Sequence, residues 1–169
     1  LLYKIWIIIR IFFTRIWRLY FDKYIDYWKE IGKIRTQFKQ LKSTKKIQLK
    51  SDRNTGTLFR QVKKPKLGLN LDGLDGIISI DIVNNTIDVG ARTTFHNITL
   101  NTLKYNLIPL IVPELSSITI GGAICGVGVE SSSFRHGLVH NTIMEMSVIL
   151  SSGKIVTCSP KNQYKDLFY

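Results

Sequence analysis

The sequence predicts an α+β fold behind a long N-terminal amphipathic helix, and three observations carry that prediction. Apolar residues recur at helical spacing through about residue 45, and the period then shortens to that of strands. Two pairs of short β-rich runs close on tight turns, one at Asn84–Asn85 and one at Ser152–Gly153. Charge divides the chain in the same way: residues 1–66 hold 18 Lys and Arg against 4 Asp and Glu, and residues 67–169 hold 6 against 8. The net charge of +12 therefore belongs to one half, which argues against a uniformly basic nucleic-acid-binding domain; no nucleic-acid partner is expected. With 169 residues, 44% apolar and 21% charged, the chain can build one core and is too apolar for disorder. Its two cysteines, Cys125 and Cys158, exclude a disulfide scaffold and a four-cysteine zinc site, and they fit a reducing compartment. A start at Leu1, without an initiator Met, reads as a piece of a longer protein.

The first element is LLYKIWIIIRIFFTRIWRLYF, residues 1–21. On a helical wheel Lys4, Arg10, Thr14, Arg15 and Arg18 fall within an arc of about 140°, and Leu, Ile, Phe and Trp fill the rest. Each Arg or Lys at a bilayer centre costs about 2.5–3.5 kcal/mol, so a spanning helix is disfavoured. A basic amphipathic helix in the headgroup plane suits the same residues, with Trp6, Trp17 and Tyr20 at the interface. The end of a span begun upstream is the alternative. A cleavable signal peptide is not expected, because charges interrupt the apolar run. Residues 22–50 continue the helical pattern as a solvated linker. There Asp22, Asp26, Lys29 and Lys33 follow one another at i,i+3 and i,i+4 spacings, with Asp26 three positions before Lys29, and Tyr24, Trp28, Ile31, Ile34 and Phe38 form a stripe. The basic excess also suits anionic lipid. Residues 1–45 are thus read as one membrane-proximal helical segment, and residues 46–169 as the folded domain.

Within that domain IQLK (47–50) reads as a short strand, SDRNTG (51–56) as a turn and TLFRQV (57–62) as an alternating run. Pro65, Gly68, Gly73 and Gly76 break the next stretch. β-runs follow at about 77–83 and 86–90. Residues 93–106 read as a helix with Thr94 as N-cap and Phe95, Ile98 and Leu103 facing inward. Residues 108–112, IPLIV, read as a buried strand, and MSVIL with KIVTC as a terminal hairpin.

Chemistry concentrates in Pro113–Gly137, which holds Gly121, Gly122, Gly126, Gly128 and Gly137 and no Lys. Glycine lets backbone amides approach a ligand, and successive free amides form an anion-binding concavity. Ser131, Ser132 and Ser133 add hydroxyls, and Arg135 or His136 adds charge. The stretch is consistent with a pyrophosphate cradle, and equally with a tight glycine turn packed beneath a loop. It is not a P-loop, and Gly126-x-Gly128 lacks the third glycine of a dinucleotide fingerprint. His136 and His140 lack a third ligand, so no metal site is expected. Cys125, among apolar neighbours, is expected to be inert. The sequons at Asn84 and Asn97 matter only in a lumen.

The order Pro113-Glu114-Leu115, Thr119-Ile120-Gly121-Gly122, Gly126-Val127-Gly128-Val129-Glu130-Ser131-Ser132-Ser133 and His136-Gly137-Leu138 resembles the PCMH-type FAD-binding domain of the vanillyl-alcohol oxidase superfamily. It is most similar to the Δ24-sterol reductases. Glu145–Leu150, Ser152–Val156 and Asp166-Leu167-Phe168-Tyr169 match downstream elements of that family, and Val89-Gly90-Ala91 with Thr93-Thr94 matches its strand-to-helix passage. The resemblance implies a partial PCMH-type FAD-binding domain over 46–169, whose complete fold has two α+β subdomains with flavin between them. It implies that Thr119, Ile120, Gly121, Gly122, Ala123, Ile124, Cys125, Gly126, Val127, Gly128, Val129, Glu130 and Ser131 line FAD. The amides of Gly121 and Gly122 would then face the pyrophosphate, and Glu130 the ribose hydroxyls. Asp52–Gly56, which stands for the first glycine-rich loop, has no His, so non-covalent FAD is implied. The family further implies NADPH as electron donor, an unsaturated sterol as substrate and attachment to the endoplasmic reticulum membrane. No catalytic residue is assignable, no oligomeric state is predicted, and activity is not expected of this piece alone. The alternatives are a PCMH-type oxidase or dehydrogenase of another alcohol, sugar or hydroxy acid, and a truncated inactive membrane-surface module.

Overall fold

The computed structural model describes residues 2–41, 47, 49–50 and 68–169. The Asp52–Gly56 loop, the TLFRQV run, and the side-chain pattern expected of residues 1–21 lie outside the described residues.

Helix α1 runs unbroken from Leu2 to Leu41, 40 residues without a proline. Exposed pairs brace its middle: Lys29 bridges Asp26 at 3.1 Å, Lys33 bridges Glu30, and Tyr24 meets Trp28 edge to face at 6.0 Å. Its last third is not the solvated linker that the charges suggest. Ile31 and Ile34 are buried at 6% and 3% exposure, and they close a small cavity of about 70 Å³ shared with Tyr27, Leu74, Ile149 and Ile155. Arg35 Nε donates to the Gly153 carbonyl at 2.8 Å, and Gln37 Oε1 accepts from the Asn70 amide at 3.2 Å. Each buried isoleucine stabilises this contact by about 1.5–3 kcal/mol, far more than the exposed pairs contribute.

Three two-stranded sheets follow among the described residues. Strand β1 (Leu49–Lys50) pairs in parallel with β2 (Leu69–Asn70). Strands β3 (Ile77–Asp81) and β4 (Thr86–Val89) form the expected hairpin, slightly shorter than the β-runs. Its turn is fixed by Asp81 Oδ1, which accepts from the amides of Val83 and Asn84 at 2.9 and 3.0 Å. Helix α2 (Phe95–Thr102) has Thr94 as its cap, the hydroxyl accepting from the Asn97 amide at 3.2 Å. Phe95 and Ile98 face inward as expected. Leu103, expected inside, is half exposed, because the chain tightens there into a 3-10 turn that ends at left-handed Asn106.

The expected strand at 108–112 does not form. Ile111 is buried at 1%, while Ile108 and Leu110 are more than half exposed. Pro109 removes a ladder donor, and no described strand lies alongside to pair with. Helices α3 (Ile120–Cys125) and α4 (Ser133–His136) come next. Strands β5 (Met146–Ile149) and β6 (Ile155–Cys158) then make the second expected hairpin, in register from Met146–Cys158 to Ile149–Ile155. The core joins Phe95, Ile111, Ala123 and Val139, with Ile118, Ile120 and Ile124 packed around them.

Candidate functional site

The glycine-rich stretch is held by a crossing behind it. Gly90 passes so close to Leu74 that a Cβ there would lie 2.1 Å from the Leu74 carbonyl oxygen. Thr93, fully buried, donates its hydroxyl to the Gly76 carbonyl at 3.0 Å and accepts from the Gly76 amide at 2.8 Å. Thr94 and Thr119 then bridge antiparallel, so the start of α2 and the start of α3 lie side by side.

That arrangement decides what the glycines do. The sequence leaves Thr119–Ser131 as a loop with free amides; instead Thr119 caps a helix, its hydroxyl accepting from Gly122 at 3.2 Å. The Ile120 amide donates to Thr93 at 2.9 Å and the Gly121 amide to Ala91 at 2.9 Å. Those of Ala123, Gly126 and Gly128 donate to Thr119, Gly122 and Ala123. The amides of Gly121 and Gly122, expected toward a pyrophosphate, both donate within the protein in this structure. Glycine is needed for close packing instead. A Cβ on Gly121 would stand 2.9 Å from the Ala91 carbonyl oxygen, and one on Gly128 would stand 2.7 Å from Val139 Cγ2. Burial of Ala123 and packing of Ile120 and Ile124 outweigh the low helix propensity of two glycines, about 1 kcal/mol each.

Among the described residues the amides of Leu115, Ser116, Ser117 and Thr119 have no acceptor before α3, and further open donors follow where α3 ends. Cys125 is exposed and Val127 turns left-handed at φ 59°. The amides of Val127, Val129 and Ser131 have no acceptor among the described residues. Glu130, expected toward a ribose, is tied back: its amide donates to Ser133 Oγ at 2.9 Å, and its Oε1 accepts from the Glu114 amide at 3.2 Å. Ser132 Oγ donates to the Leu110 carbonyl at 3.0 Å. Segments 110–114 and 130–133 are thereby fastened together, and the 127–131 edge keeps those unpartnered amides and an exposed Ser131. This donor set suits the oxygens of a phosphate or sugar, with the nearest carboxylate already engaged. His136 and His140 stand in no described cluster of three metal-ligating side chains.

The comparisons agree on the class. The profile described as "FAD binding domain" matches residues 53–159. The chain belongs to the PCMH-type FAD-binding domain family. A Delta(24)-sterol reductase of Pisum sativum is 35% identical over 101 residues, 60% of this chain and 18% of that protein. The Rattus norvegicus Delta(24)-sterol reductase is 32% identical over 109 residues, 63% and 20%. Cytokinin dehydrogenase 9 of Oryza sativa subsp. japonica is 32% identical over 87 residues, 52% and 16%. This FAD-binding chain thus spans about a fifth of the length of the sterol reductases that it matches. In structure it is similar to 6-hydroxy-D-nicotine oxidase from Arthrobacter nicotinovorans, with a TM-score of 0.66 and 17% identity, over 82% of this chain and 30% of the oxidase. That likeness is one of fold. The helix-capped arrangement around Thr119 therefore belongs to an FAD-binding domain, and the 127–131 edge is one place where it has free donors.

Proposed function

We propose that this chain is part of a membrane-associated Δ24-sterol reductase that uses FAD, held non-covalently, with NADPH as donor. The observation that carries the reading is the similarity to Delta(24)-sterol reductases from plants and mammals at 30–35% identity. When bound, FAD would supply the hydride-transfer chemistry by which NADPH could reduce the sterol side-chain double bond, a proton completing the second carbon.

The chain's own residues hold and orient. The amides of Val127, Val129 and Ser131, with the Ser131 hydroxyl, donate to phosphate or ribose oxygens. Thr119, Ile120, Gly121, Gly122, Ala123 and Ile124 set the position of that edge through α3, and Cys125, Gly126 and Gly128 carry the chain around it. Glu130 braces the edge against Glu114 rather than meeting the ligand. The basic, aromatic start of α1 keeps the domain beside a membrane-dissolved sterol, as at the endoplasmic reticulum.

A second reading, a PCMH-type oxidase or dehydrogenase of another substrate, is favoured by the similarity to cytokinin dehydrogenases. One assay separates them on the purified full-length protein. A yellow flavin spectrum with NADPH consumption that requires a Δ24-sterol and uses no oxygen supports the reductase. Oxygen uptake with an alcohol or amine, and none of that NADPH consumption, supports the second reading and overturns the first.

A further inference from the structure

We propose that Arg92 is a positioning residue for the flavin: paired with Asp72, it fixes the turn from which α3 hangs. This rests on the reading of residues 127–131 as the edge that holds FAD. Gly90–Thr93 form a tight turn, the Thr93 amide donating to the Gly90 carbonyl at 2.9 Å, with Ala91 and Arg92 at its centre. The carbonyls before and after Arg92 both serve α3. That of Ala91 accepts from the Gly121 amide and that of Thr93 from the Ile120 amide, each at 2.9 Å. Those two bonds hold the first turn of α3. The helix then runs directly into the edge, where the Gly128 amide donates back to Ala123 at 2.9 Å. A shift of the turn's centre therefore shifts the donors of Val127, Val129 and Ser131.

Thr93 pins one end of the turn through Gly76 and leaves its centre to Arg92. The middle of a surface turn moves easily unless a side chain ties it down, and exposed Ala91 has none that can. Arg92 grips the 72–74 segment twice. Its amide donates to the Leu74 carbonyl at 2.8 Å, and its Nη2 meets Asp72 Oδ1 at 3.4 Å. The arginine side chain is 15% exposed and that of Asp72 32%, so salt and water screen this pair less than the exposed Lys29–Asp26 pair of α1. Asp72 is itself held. Its amide donates to Asn70 Oδ1 at 2.8 Å, and the Asn70 amide donates to Gln37 Oε1 of α1 at 3.2 Å. Glu30 of α1 lies against Gly73. The docked end of α1 thus backs the partner of Arg92, and the ion pair carries that support to the carbonyls behind α3.

The test measures FAD binding to the purified full-length protein by equilibrium dialysis, with visible circular dichroism of the flavin-saturated protein beside it. Arg92→Lys keeps the charge but replaces the planar fork with a point charge on a different stem. It is expected to raise the FAD dissociation constant about tenfold and to change the band shape of the bound flavin, with the far-ultraviolet spectrum unchanged. Asp72→Glu, added to Arg92→Lys, extends the carboxylate by one methylene and is expected to recover both readings. A role in stability alone would lower the amplitude with the unfolded fraction and keep the parent's band shape, and that result overturns the proposal. Parent-like affinity and spectrum in Arg92→Lys overturn it too, as does a weakened variant that Asp72→Glu does not restore. Should Arg92→Lys not fold, Asp72→Asn decides by the same two readings: a weaker, altered flavin site supports the proposal and an unchanged one overturns it. A parent that binds no FAD overturns the flavin reading and this inference with it, whereas a parent and variants that bind alike overturn this inference alone.

Discussion

Val127 holds a left-handed backbone, φ 59°, just past the end of α3, where glycine is the usual residue and a β-branched side chain is strained. Val127→Gly is expected to raise unfolding free energy by about 1 kcal/mol in a denaturant titration; an unchanged midpoint means that the strain is absent. The cysteines separate by burial. Cys125 is exposed, while Cys158 is fully buried, its Sγ directed at the Met146 carbonyl at 3.3 Å, and burial pushes its thiol pKa up. A thiol reagent at neutral pH should therefore modify Cys125 quickly and Cys158 only on unfolding. The folded chain keeps Cys158 neutral while the unfolded chain ionises it near pH 8.5. Its contribution is thus fully present below that pH and is lost as pH rises through the folded value. A Cys158→Ala variant should show less loss of stability between about pH 8 and 10 than the parent.

At the scale of elements, α1 and the Gly90 crossing matter most. Ile34→Ala is expected to cost about 2–4 kcal/mol by chemical denaturation, because it opens the contact with Leu74 and Ile155 beside an existing cavity. Retention of wild-type stability would mean that the last third of α1 does not dock. Gly90→Ala drives a methyl into the Leu74 carbonyl and should cost about 1–3 kcal/mol, since the backbone behind the site must shift. Both hairpins were legible in the sequence, because alternation and turn residues are local signals. The helix at 120–125 was not, because Gly121 and Gly122 argue against it locally; packing on Phe95 and Val139 decides it. The missing strand at 108–112 has the same origin, since an apolar run becomes a strand only with a partner.

For the whole molecule, Ile108, Leu110, Val112, Leu115 and Val129 leave apolar surface exposed around the open donor edge. If the 127–131 edge holds the cofactor, FAD at about one hundred times its dissociation constant should raise unfolding free energy by about 2.7 kcal/mol. A melting curve that FAD does not move would show that this chain's residues alone do not hold the flavin.

The sequence by itself determined the FAD-binding class, through the order of its motifs, along with both hairpins, the Thr94 cap and the separation of a basic helical start from a near-neutral domain. These depend on spacing and local chemistry. Only the tertiary structure decided that α1 docks, and that the amides of Gly121 and Gly122 are taken up by Ala91 and Thr119. It also leaves the amides of Val127, Val129 and Ser131 among those without an acceptor in the described residues. The Gly121 amide is taken up by a carbonyl from a distant segment, that of Ala91, which no local reading reaches, and the Gly122 amide by the Thr119 hydroxyl three residues back once packing has set the helix.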